Sequence, residues 1–311
     1  MQNSRKVFSS RSDQYFKGLI LVLGVAIIAI FGVSLYQLLV GGWDALKTFG
    51  LGFLTSTTWD VPNEQYGALT FIAGTLITSI AALLISVMLA VPAAIFVTEY
   101  APKWLAEPVS YLIELLAAIP SVIYGLWAIV TLVPLVQKLQ VWIFTQPELQ
   151  KIQWLVSAPT GRGLFTAILV LSIMVIPYTA SVARDVIRLV PSDQREAAYA
   201  LGATKWEVIS MAILPYARAG IFGGVILSLG RALGETMAVT MVIGNNNIIP
   251  NTLFSATNTM ASVIATQFQE ATSDLQLSSL LGIGLLLFII SVIVNYLARL
   301  IIARLTPKGI K

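Results

Sequence analysis

Neither cysteine nor histidine occurs in the 311 residues. Disulfides, Cys/His metal sites, a thiol nucleophile, a Ser–His hydrolase and a histidine proton relay are all excluded by those two absences. Charge is scarce as well: 11% of residues are Asp, Glu, Lys or Arg against 57% hydrophobic, with a mean hydropathy of +0.84. A water-soluble domain does not have that composition. No G-x-x-x-x-G-K-[ST] run occurs, and no glycine-rich turn precedes a lysine able to cradle a triphosphate. The carboxylates are too scattered to pair for acid–base work, so the chain is not expected to be an enzyme.

What is abundant is apolar length. A bilayer span needs about 20 mostly apolar residues, and six windows meet this, at roughly 19–40, 71–97, 110–136, 163–183, 217–243 and 277–303. An all-α membrane bundle follows. Its expected organisation is an N-terminal segment 1–18, a first span 19–41, an outer loop 42–70, a core 71–304 holding five spans and a central loop 185–216, and a tail 305–311. Arg5, Lys6, Arg11 and Lys17 precede an apolar run without a small-residue cleavage pattern, which reads as a retained span.

Lys and Arg are divided unequally between the two sides. One side holds those four, Lys103, Arg184, Arg188, Arg195, Lys205, Arg218, Arg299, Arg304, Lys308 and Lys311; the other holds Lys47, Lys138, Lys151 and Arg162. By the positive-inside rule both termini and the central loop face the cytoplasm. The segment 244–276 has no Lys or Arg, as a translocated loop should. The basic residues are not clustered among aromatics, which argues against nucleic acid as a partner.

The central loop carries helix punctuation. Ser192 is a candidate N-cap with Asp193 in the first turn, and Gly202 stands where a helix ends in a left-handed residue, giving a helix of about two turns over 193–201. Thr204 and Glu207 have capping-box spacing, and Pro215 marks the start of the fifth span. Alanines 197, 198, 200 and 203 leave the backbone accessible to a partner's groove, and Glu196 adds an anionic handle. Glu196-Ala197-Ala198, Gly202 and Leu214-Pro215 resemble the E-A-A loop through which bacterial ABC importer permeases engage their ATPase. The one departure is Ala212 where that pattern has Ile, with Ile213 adjacent.

A second resemblance covers nearly the whole chain. Tyr66 to Leu76 (YGALTFIAGTL), Glu99-Tyr100-Ala101-Pro102, Ile119 to Gly125 (IPSVIYG) and Gly230 to Val239 (GRALGETMAV) are similar to the PstC-type permeases of phosphate importers. The resemblance implies a type I importer bundle of six transmembrane helices in a bacterial inner membrane, with a cytoplasmic coupling helix. It also implies a second homologous permease of the PstA type, an ATPase homodimer of the PstB type that binds ATP-Mg, and an extracytoplasmic phosphate-binding protein of the PstS type. This chain itself would carry no cofactor.

The residue chemistry points to an anion path independently. Arg231 lies about midway along the fifth window, where a lipid-facing guanidinium costs at least ~2.5 kcal/mol, so it should face protein or water. Its planar fork suits a tetrahedral oxyanion and keeps its charge. Glu235, four residues on, is expected on the same helix face as a pairing partner. Ser228, Thr236 and Thr240 add neutral donors; Thr75, Thr78 and Ser79 on the second span and Ser121 after the Pro120 interruption are further path candidates. The alternative for all of them is helix packing. Glu114 reads as an interfacial or interhelical charge, and Trp43, Trp59, Trp142, Phe144 and Trp154 as interface anchors. Segment 244–276 is either a contact for the binding protein or a linker. An importer of another oxyanion stays open, as does an ion-coupled secondary transporter, for which Glu235 alone would fit.

Overall fold

The computed structural model describes residues 11–305. Arg5, Lys6, Lys308 and Lys311 and the tail beyond 305 lie outside the described residues. Six helical stretches are long and apolar enough to cross a bilayer: Asp13–Gly41, Leu69–Tyr100, Ser121–Thr145, Leu164–Arg188, Lys205–Leu233 and Asp274–Ile301, here spans one to six. The expected all-α bundle is thus observed. Among the described residues the only sheet is the hairpin Trp59–Asp60 with Gln65–Tyr66. Because the spans alternate in direction, span one starts, the loop after span four turns and span six ends on one face, called the near face below.

Several span boundaries differ from the hydropathy windows. The third window merged two helices: Lys103–Ala118 is separate, Ile119 is extended ahead of Pro120, and span three starts only at Ser121. A proline disfavours the helical conformation of the residue before it, which a hydropathy average does not register. Span four continues to Arg188, which puts Arg184 inside a helix and not in the loop. Span five stops at Leu233, ten residues short of the expected end; a break at 234–236 follows, then a short helix Met237–Val242.

Pro215 does not begin span five either. The helix runs continuously from Lys205, widening into a π turn at Ile209–Ile213 directly before the proline, and span three has the same device at Ala128–Leu132 ahead of Pro134. A proline lacks the N–H and crowds the carbonyl four residues back, so a wider turn lets the helix continue through it.

Span four is the most enclosed of the six. Gly220 and Gly224 of span five lie against Val186 and Val182, where an added Cβ would come within 2.5 and 2.6 Å of those side chains. Hydroxyls tie the same helices: Thr179 Oγ1 lies 2.8 Å from Ser228 Oγ and 3.3 Å from Ser86 Oγ of span two. Span one is peripheral. None of its apolar window is buried, and it meets span six at the far end, where Gly41 and Gly42 abut Leu281 and Gly282.

The far face is folded, not loose. Phe53, Tyr66, Ala68 and Phe71 form a core with Met260, Val263, Leu280 and Ile283. Trp59 belongs to it and is no interface anchor: its ring lies edge-on to Tyr66 at 4.8 Å and Phe71 at 5.0 Å, and its Nε1 donates to Gln267 Oε1 at 2.8 Å. Trp43, Trp142, Phe144 and Trp154 are exposed. The 244–276 segment is not a structureless linker: it dips into the bundle as the helix Met260–Gln267, capped by Thr259 and Ser262. Thr75 Oγ1 accepts from Met260 N at 2.9 Å.

Gly74 makes that close approach possible, since a Cβ there would sit 2.1 Å from the Asn258 carbonyl oxygen. Backbone cannot yield as a side-chain tip can. Gly74→Ala is therefore expected to destabilise the chain by about 1–3 kcal/mol, read as a lowered thermal midpoint in detergent. Gly223→Ala, into open space, should leave the midpoint unchanged or raise it.

Candidate functional site

The interrupted fifth span carries the charged pair singled out in the sequence, but not as an ion pair. Because the helix ends at Leu233, Arg231 and Glu235 do not share a helix face, and no bridge between them occurs among the described residues. Each charge sits at a helix end of opposite sign. Arg231 lies in the last turn of span five, where the carbonyl dipoles favour a cation, and Glu235 Oε1 accepts from Ala238 N at 3.3 Å at the start of the next helix. The Arg231 guanidinium lies over the Tyr178 ring, 5.3 Å from its centroid. Its Nε is buried and has no hydrogen-bond partner among the described residues. A buried donor on a fixed cation is costly to leave unpaired, and an oxyanion is the partner it fits.

The other path candidates divide into two groups. Ser228, Thr75 and Ser79 are buried within the chain and already bonded: Ser228 to Thr179, Thr75 to the Phe71 carbonyl at 2.8 Å, and Ser79 to the Ala232 carbonyl at 3.1 Å. Thr78 is likewise turned to the Gly74 carbonyl. Ser228, Ser79 and, through Met260 N, Thr75 join helices, whereas Thr78 bonds only within its own. Thr236 lies in the break, donating to the Gly234 carbonyl at 3.2 Å, and Thr240 bonds back to the Thr236 carbonyl at 2.7 Å. Ser121 is half-buried at the first turn of span three. The two breaks are adjacent, since Gly125 of span three packs on Ala238 and Met241, where a Cβ would come 3.1 Å from Ala238 Cα.

At the near face, Ser192–Ala200 forms the short helix, one residue earlier than expected. Pro191 and not Ser192 occupies the cap position, because its fixed backbone already has the required non-helical geometry. Gly202 is left-handed at φ +83°, and Thr204 and Glu207 form a reciprocal capping box. Glu196, Ala197, Tyr199, Ala200, Leu201 and Gly202 are exposed, whereas Ala198 is half-buried against the cluster of Ile209, Ile213 and Ala217. Ile213 is buried there and Ala212 is not. Leu214 packs at the edge of the same cluster and Pro215 is exposed.

Residues 87–307 match the model of the binding-protein-dependent transport system inner membrane component family. Curated relatives named phosphate transport system permease protein PstC share 47% identity over 98% of both chains (Haemophilus influenzae) and 43% over 96% of this chain and 92% of its relative (Mesorhizobium japonicum). The chain belongs to this permease family, in its PstC branch. The permease also shares its fold with solved ABC importers. A bacterial transporter for the acidic polysaccharide alginate superposes with a TM-score of 0.59 over 95% of this chain and 99% of its own, at 18% identity. An inward-facing MetNI methionine transporter gives 0.56 over 75% and 94%, at 17%. The permease is therefore a multi-pass inner-membrane protein of the type I importer fold.

Three features of the permease were not singled out in its sequence. Arg195, beside the alanines, points into the protein: Nη1 donates to Glu99 Oε1 at 2.6 Å and Nη2 to the Ile187 carbonyl at 2.9 Å, so one side chain ties the short helix to spans two and four. Lys205 lies over Tyr100, 4.7 Å from the ring centroid. Arg184, 4% exposed, bridges Glu114 Oε1 at 2.7 Å and Asp185 Oδ1 at 2.8 Å and holds the Lys103–Ala118 helix against span four. Glu114 is thus an interhelical partner. No sequence spacing signals these ion pairs, because their partners lie 70 and 96 residues apart.

Removing Arg195 leaves the Glu99 carboxylate, 9% exposed, without its cation. Arg195→Ala should cost the short helix about 1.5–3 kcal/mol of local stability, a roughly 10- to 100-fold faster amide exchange over 192–200. Hydrogen exchange by mass spectrometry reads this, with spans three and six unchanged.

Proposed function

We propose that this chain is the transmembrane permease subunit of an ATP-driven importer of inorganic phosphate and forms half of its translocation path. The supporting observation is Arg231 at the interrupted fifth span, an unpaired guanidinium donor buried over Tyr178, in a chain whose relatives are named phosphate permeases. The second half of the path comes from a homologous PstA-type permease. A PstB-type ATPase homodimer binds ATP-Mg and docks on the exposed face of Glu196, Ala197, Ala200 and Gly202; in this reading, which the distribution of Lys and Arg supports, the near face and both termini are cytoplasmic. A PstS-type binding protein delivers phosphate at the far face. ATP-driven closure of the ATPase pair pushes the Ser192–Ala200 helix, and the differential contact of that helix in two bundle states drives alternating access.

Arg231 contacts the anion while Thr236, in the break, lines its route. Glu235 holds the start of the Met237–Val242 helix by accepting from Ala238 N, and its carboxylate is engaged there and not on Arg231. Ser228, Thr75 and Ser79 keep the walls of the route in register through their interhelical bonds.

Radiolabelled phosphate uptake into proteoliposomes carrying the two permeases and the ATPase, with binding protein outside and ATP inside, tests this. Uptake should require ATP and be lost in Glu196→Lys. Arg231→Ala should lower it roughly 10- to 100-fold, the loss of one charge-assisted hydrogen bond, with Arg231→Lys retaining part. Normal uptake by Arg231→Ala would remove the anion contact, and gradient-driven uptake by this chain alone would replace the importer with a secondary transporter.

A further inference from the structure

Spans one and six form a V. At the far end they are pinned by glycine: a Cβ on Gly42 would meet Gly282 Cα at 2.9 Å, and one on Gly284 would meet Leu38 at 3.1 Å. Toward the near face they part, leaving a groove of about 760 Å³. Phe31, Phe288 and Val292 make its apolar floor, and Ser291, Asn295, Tyr296 and Arg299 line its other end.

We propose that this groove seats an anionic phospholipid of the near-face leaflet, with its phosphate on Arg299 and an acyl chain along Phe31, Phe288 and Val292. Length fits the assignment. From Phe288 to Arg299 a helix rises ~16 Å, about one leaflet's share of a ~30 Å hydrocarbon core. Chemistry fits as well: among the described residues Arg299 has no carboxylate within ion-pair distance, and the groove contains no acidic side chain. A guanidinium beside the phenol of Tyr296 at the end of a span is a donor set for a phosphodiester at the interface. Val292, Ile293, Ile27 and Ile30 are exposed along its sides.

The seat also reaches the transport core. Asn295 donates to the Ser291 carbonyl at 2.8 Å, and its amide end lies 3.8 Å from the Cβ position of Gly230, next to Arg231. The inference stands on the groove and does not need phosphate to be the transported ion.

The test uses the full chain in phosphatidylcholine nanodiscs doped with spin-labelled phosphatidylglycerol or spin-labelled phosphatidylcholine, reading the immobilised lipid fraction. Phosphatidylglycerol should be preferred about fivefold, the selectivity of one basic side chain near an anionic headgroup. Arg299→Gln should abolish the preference and Arg299→Lys restore most of it, while Val292→Trp, filling the floor, should lower immobilisation of both lipids. Equal immobilisation of the two lipids, or a preference that survives Arg299→Gln, overturns the proposal. So does a protein occupant: the chain has no native cysteine, so Val292→Cys is a unique cross-linking site, and its capture of a partner permease helix in the assembled importer would assign the groove to protein.

Discussion

Every peptide group inside hydrocarbon needs a partner within the protein, and the helix interruptions concentrate that demand in one region. Two helices end there with unpaired carbonyls, and two begin with unpaired N–H groups. Side chains from other elements meet part of it. Tyr124 Oη donates to the Leu116 carbonyl at 2.8 Å, Ser79 Oγ to the Ala232 carbonyl, and Glu235 accepts from Ala238 N. Polar groups that composition alone suggests as substrate ligands are in several cases backbone partners that make the interruptions possible. Arg231 is different, because its Nε takes part in no such bond.

The same constraint explains what was legible beforehand and what was not. Apolar runs reported that six helices exist, since each span must hide its own backbone. They did not report where a helix breaks inside the bilayer: IPSVIYG and GRALGETMAV remain apolar enough to average smoothly across Pro120 and Gly234. Local punctuation was readable where it is a backbone rule. Gly202 at positive φ and the Thr204–Glu207 box follow from residue type at fixed spacing. Pairings across more than about 70 residues, such as Arg184 with Glu114 or Arg195 with Glu99, carry no such spacing. The expected Arg231–Glu235 pair failed for a related reason, because an i,i+4 rule presupposes an unbroken helix.

Two kinds of helix contact divide the bundle. Spans two, four and five are locked by glycine against valine and by buried hydroxyls, an economical scheme where apolar side chains gain little by leaving lipid for protein. Span one meets span six mainly at its glycine end. The family match begins at residue 87, after that helix.

Arg195 gives the short near-face helix the mechanics of a strut with two feet. Its guanidinium stands on the Glu99 carboxylate at the end of span two and on the Ile187 carbonyl at the end of span four, while Ala198 rests on the Ile213 cluster of span five. A load applied to the exposed side of nine residues is thus divided among three spans at once. Moving that helix as a rigid piece would therefore act on the three spans together and not on one after another.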